Sequence, residues 1–190
     1  GSLIVNAGTV VKFQPGDMDI TANGTFQTEG LVGSRAVLTS IKDDSAGGDT
    51  NNDGAATVPA PNDWGTGGVT LNSTASGCFL DYTDVRYGGD TTLDVNNTRL
   101  DVTGSSLSCS QRALDYDSAT GTISGTSFIS NTDYALYEVS SGLTMQDNEF
   151  RWNQHGIYLR TATLQSNCQK KHPFEDNYDY SYWPDFDGFL

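Results

Sequence analysis

Asp49-x-Asn51-x-Asp53-Gly54 places three oxygen-bearing side chains at alternate positions and closes on a glycine. Alternate oxygens converge on one side of a tight loop and the glycine permits its sharp turn, so the pattern is the first half of a calcium loop. The twelfth position is Ala60, where an EF-hand needs a bidentate glutamate, and an ordinary EF-hand is thereby excluded. Asp43, Asp44 or Asp63, folded back from the two ends of the same stretch, would complete a shell of about six or seven oxygens around Ca2+. Residues 43–63 are too polar to pack alone, and a loop of about 20 residues with no strand pattern needs something to order it. The plain alternative is a solvated loop rich in Gly, Asn and Asp, which the same composition supports.

The chain as a whole points to cations as partners. A formal net charge of −14 over 190 residues repels nucleic acid and anionic membrane surfaces. No apolar run approaches the roughly 20 residues of a membrane-spanning helix, so no membrane span is expected. The three cysteines, Cys78, Cys109 and Cys168, have no Cys-x-x-Cys spacing; neither a zinc site nor a dense disulfide framework is indicated, and one bridge is the maximum. Gly1-Ser2 reads as a cloning remnant, and strand-like Leu3-Ile4-Val5 follows at once, which is the expectation for a piece of a longer protein.

The elements that would position these groups follow from a repeat. With 21 glycines, 18 % charged residues and abundant Ser, Thr, Asn and Asp, the chain suits many short strands joined by tight polar turns. From residue 78 onward an aliphatic residue opens each segment at Leu80, Leu100, Ile123, Leu143 and Leu164, at intervals of 20, 23, 20 and 21. A second apolar position follows at Val85, Leu107, Phe128 and Phe150, and a third at Val95, Tyr116, Val139 and Leu159. Three short strands per coil of about 21 residues result, with equal positions stacked about 4.8 Å apart in continuous inward columns. Asp84, Ser106, Ser127 and Asn148 precede the second strand and read as corner formers.

This pattern, clearest in YALYEVSSGLTMQDNEFRWNQHGIYLRT, resembles the right-handed parallel β-helix repeats of the pectate-lyase-like superfamily. The resemblance implies an all-β solenoid over residues 3–190: opening coils at 3–42, an acidic insertion at 43–63, regular coils at 64–168, and an aromatic cap at 169–190. The order of these phrases, with DDSAGGDTNNDG and NDWG, is similar to that in bacterial surface proteins with such repeats, which implies a secreted or cell-surface location. Pectin-degrading relatives in that superfamily set the catalytic expectation. Polygalacturonases carry Asn-Thr-Asp, a paired Asp-Asp, Gly-His-Gly and Arg-x-Lys on successive coils; here only Asn131-Thr132-Asp133, His155-Gly156 and Arg160 answer to them. Glycoside hydrolysis needs two placed carboxyls, and Asp133 is the single candidate, so Asn131 and Asn153 read better as equivalent turn positions. Asp81, Asp84, Arg86, Asp101, Arg112, Asp115 and Asp117 have the residue types of a lyase without a distinguishing spacing, and rim ion pairs are their ordinary use.

Binding an extracellular polysaccharide, or a similar surface ligand, requires less. Tyr87, Tyr137, Trp152 and Trp183 are candidate rings for stacking on sugars. The expectation is a non-catalytic, calcium-stabilised β-helix module for adhesion or carbohydrate binding, with a polysaccharide lyase or hydrolase, or a bare spacer, as alternatives.

Overall fold

The computed structural model describes residues 1–16, 19–166 and 174–175, with side chains through residue 162. These residues form a parallel β-solenoid without helices. Three parallel sheets of seven, seven and six strands run along it, and each strand pairs with the one three elements later. The first sheet runs from Ser2–Asn6 to Thr163–Ser166, the second from Val10–Phe13 to Phe174–Glu175, and the third from Ile20–Ala22 to His155–Arg160.

Partner positions show the coil to be 21 or 22 residues, through Leu80, Val102, Ile123 and Met145. The expected opening column is therefore corrected. Leu100 stands beside Cys78, and Leu164 beside Leu143, in one inward column; Leu80 and Ile123 belong to the other. The sequence intervals alternated between two columns two residues apart, and a shift of two preserves the face, so Leu80, Leu100, Ile123 and Leu143 all still point inward. The second column is as expected: Val85, Leu107, Phe128 and Phe150 stack in register, the two phenylalanine rings 4.6 Å apart. In the third column Val95 and Tyr116 are followed by Glu138 and Leu159, not by Val139, which stands beside Asp117 on the outer face. Leu136 is locked beside Leu114, and strict alternation then turns Glu138 inward.

Tyr116 fills the core across from Gly121. Its hydroxyl donates to the Leu100 carbonyl at 2.9 Å, and a Cβ on Gly121 would lie 2.0 Å from that same oxygen. Only glycine admits this approach.

Each corner repeats one device. A residue in the left-handed region ends a strand, as at Tyr87, Cys109, Ser130 and Trp152 after the second sheet. After Cys109, Ser130 and Trp152 a buried polar residue follows, and its side chain accepts the amide of the preceding coil: Ser110 Oγ takes Gly88 N, Asn131 Oδ1 takes Ser110 N, and Asn153 Oδ1 takes Asn131 N. Asn131 and Asn153 are thus equivalent turn residues. At the preceding corner the ladder is Thr83, Ser105, Thr126 and Asn148. Asn148 was expected there; Asp84, Ser106 and Ser127 lie one residue further on, on the outer face of the second sheet. The buried amides of the corners are satisfied by these side chains, which is why the residues are small and polar.

Candidate functional site

Residues 41–68 leave the solenoid between Ala36–Ser40 and Val69–Leu71. Both ends of this excursion are anchored by protein contacts. Asp43 accepts from Thr39 Oγ1 at 2.7 Å and from the Ser45 amide and hydroxyl, and lies 3.5 Å from Arg86. Burial alone would raise its carboxyl, but those donors outweigh it and hold the group below the ordinary carboxylate value. Asp63 accepts from Ser40 Oγ at 2.8 Å and Lys42 Nζ at 2.7 Å. Next to it Trp64, fully buried, stacks on Phe13 with ring centroids 3.9 Å apart.

The middle of the loop behaves differently. Asp44, Asp49 and Asp53 each offer a carboxylate oxygen within 4.8 Å of the others. The backbone curls there through left-handed Asn52 and Gly54, and Asp49 accepts the amides of Asp53 and Gly54 at 3.2 and 2.9 Å. Asp53 takes Thr57 Oγ1 and Asn51 Nδ2 on one oxygen. Its other oxygen, with Asp44 Oδ1 and Asn51 Oδ1, is shielded from solvent and has no hydrogen-bond donor. Hard oxygens withdrawn from water and lacking donors are the ligand chemistry of Ca2+. Of the six residues expected to hold a metal, Asp44, Asp49 and Asp53 come together, with Asn51 bonded to Asp53, while Asp43 and Asp63 serve the loop's two anchors.

A second assembly lies on the outer face of the third sheet. Asp94, Asp115, Tyr137 and Tyr158 occupy one register column on successive coils. The rings of Tyr137 and Tyr158 are parallel at 4.3 Å, and the Arg112 guanidinium covers the Tyr137 ring at 4.3 Å from its centroid. Tyr134 meets both tyrosines edge-on at 5.4 Å and stacks on His155 at 4.7 Å. No family model matches the chain, and neither does a curated protein or a solved structure.

Arg112 bonds Asp115 at 3.0 Å and Asp133 at 3.4 Å. Burial, with the charges of Asp94 and Asp117 nearby, nevertheless pushes the Asp115 carboxyl up to about 6, against the pull of Arg112. Burial likewise raises Asp94, despite its bond from Asn96 Nδ2.

The four candidate sugar-stacking rings are dispersed. Both faces of Tyr137 are covered, by Arg112 and Tyr158, so it presents an edge and a hydroxyl. Trp152, 53 % exposed, and half-buried Tyr87 share one corner row three coils apart, Tyr87 near the acidic loop through Asp43. Trp183, Cys168 and His172 lie outside the described residues, as does the expected cap at 169–190 apart from Phe174–Glu175, which pair with Phe150 and Arg151 and so continue the second sheet. Cys78 and Cys109 are free thiols. Among the polygalacturonase-like residues, His155 N bonds Asp133 O, but Arg160 stands beside Val139 at the far end of the strand. The Arg112, Tyr134, Tyr158 and Asp94 grouping was missed by sequence reasoning because it needs the 21- and 22-residue register; Tyr134-x-x-Tyr137 with Tyr158 one coil later was its only signal.

Proposed function

We propose that this chain is a non-catalytic, calcium-clamped β-solenoid module of a secreted or cell-surface protein, holding an extracellular polysaccharide or similar surface ligand. The observation that carries the reading is the convergence of Asp44, Asp49 and Asp53 in a loop whose ends are already anchored. Calcium there would tie the Asp49–Asp53 turn to Asp44 and neutralise part of a strongly acidic chain. The ligand-facing part of the proposal draws on the tyrosine, arginine and aspartate groups of the third sheet, which offer ring edges, hydroxyls and carboxylates to sugar hydroxyls, and on exposed Trp152 as a stacking face.

Calcium titration by calorimetry tests the clamp. At calcium about a hundredfold above Kd the fold gains about 2.7 kcal/mol, or roughly 5–10 °C in Tm, which EDTA removes. Asp49→Ala with Asp53→Ala abolishes both binding and the EDTA response; an unchanged response in that variant refutes the clamp. A pull-down against soluble and insoluble polysaccharides tests the rest, with no binding to any glycan leaving the spacer role.

Hydrolysis is a second reading with one observation in its favour. Asp94 and Asp115 are register partners on adjacent coils, whose strands lie about 4.8 Å apart, and their carboxyls are differently furnished. Release of reducing ends that disappears in Asp115→Asn would replace binding with hydrolysis.

A further inference from the structure

Glu138 is 0 % exposed, and among the described residues neither of its carboxyl oxygens has a hydrogen-bond partner. It sits in the inward column of the third sheet between Tyr116 and Leu159. Leu143, on the next strand, turns its amide toward the carboxyl without completing a hydrogen bond. Among the described residues Tyr116 is the one ionisable side chain beside it in that column, and its hydroxyl is already given to the Leu100 carbonyl. No cation among the described residues stabilises the charge. On the opposite side of the same strand, Tyr137 stacks on Tyr158.

We infer that Glu138 is a pH-sensing latch directly behind the outer tyrosine face: neutral, it packs in the core column and keeps the coils closed; ionised, it opens Tyr134–Val139 and His155–Arg160 and dismantles that face. A charged carboxylate with no donor and no counter-ion is strongly disfavoured in such a column, so below its raised value the proton is lost mainly as the strands part. Burial accordingly raises the carboxyl from 4.5 to about 8. Because the closed form binds a proton that the open form releases, stability falls as pH rises across that window and levels off above it. One proton corresponds to about a tenfold increase in the opening constant per pH unit. The inference holds whether or not the face binds a glycan.

Hydrogen exchange of the 190-residue chain, read by mass spectrometry between pH 5 and 9 and corrected for intrinsic exchange, tests it. In the wild type, opening of peptides covering residues 134–160 rises about tenfold per pH unit up to about pH 8. In Glu138→Gln the corrected opening is flat, and peptides from residues 2–40 show no such difference between the two proteins. Should the glutamine variant fold poorly, Glu138→Leu gives the same flat profile. A flat wild-type profile, or a wild-type slope retained in Glu138→Leu, overturns the inference.

Discussion

Among the described residues, Asp43 and Glu138 are buried to nearly the same degree, 1 % and 0 % exposed, and their carboxyls move in opposite directions. Asp43 lies where the acidic loop leaves the second sheet, surrounded by two hydroxyls, an amide and the Arg86 guanidinium. Glu138 lies in the core column between Tyr116 and Leu159, with none of these among the described residues. Burial penalises both charges; donors decide which is overcome. The acidic loop has its polar groups supplied with partners at both ends, whereas the regular coils exclude partners from the core so completely that an inward carboxyl must stay neutral.

The sharpest break between the two regions is expected from Glu138→Leu. Its folded value of about 8 against 4.5 corresponds to a gain of about 4–5 kcal/mol at pH 9, shrinking toward zero near pH 5, measured by denaturant unfolding. An equal gain at both pH values would make shape, not charge, the cause. Asp43→Ala is expected to act with the opposite sign, losing about 2–4 kcal/mol at pH 7 because Arg86, Thr39 and Ser45 are left without their acceptor. As a lowered carboxyl, Asp43 contributes above 3.8 and loses that contribution as pH falls through its folded value, so the gap between variant and wild type closes in acid. The smallest effect belongs to Arg86→Met. Arg86 is one-quarter exposed and Asp43 keeps its hydroxyl and amide donors, so about 1 kcal/mol is lost. A loss as large as that of Asp43→Ala would mean that the ion pair, and not the hydrogen-bond cage, holds the carboxyl.

Much of the fold was legible before the structure because a solenoid writes its repeat into the chain. Val85, Leu107, Phe128 and Phe150 formed the expected column without correction, since each is the only inward apolar residue of a strand three or four residues long and leaves no choice. Where a strand has two inward positions, as around Leu80 and Val102 or Leu100 and Cys78, aliphatic spacing alone could not tell the columns apart. Around the loop, Asp49-x-Asn51-x-Asp53-Gly54 indicated the turn, but nothing local distinguished Asp44 from Asp43. Folding did so, by giving Asp43 to Thr39, Ser45 and Arg86 and leaving Asp44 to face the turn.

The sequence by itself determined the alternation of faces, the three strands per coil and the chemistry available to the acidic loop, because these depend on neighbours one to five residues apart. Tertiary structure alone decided which of two adjacent residues pays allegiance to the core. In Tyr-Ala-Leu-Tyr-Glu-Val, side-chain hydrophobicity favours Val139 as the inward residue, yet the ladder pairs Leu136 with Leu114 and Glu138 with Tyr116. Freeing Val139 to turn inward would require a bulge that breaks parallel hydrogen bonds with both neighbouring strands, and those bonds are set by residues a whole coil away. The same distant register lines up Asp94, Asp115, Tyr137 and Tyr158 on the outside.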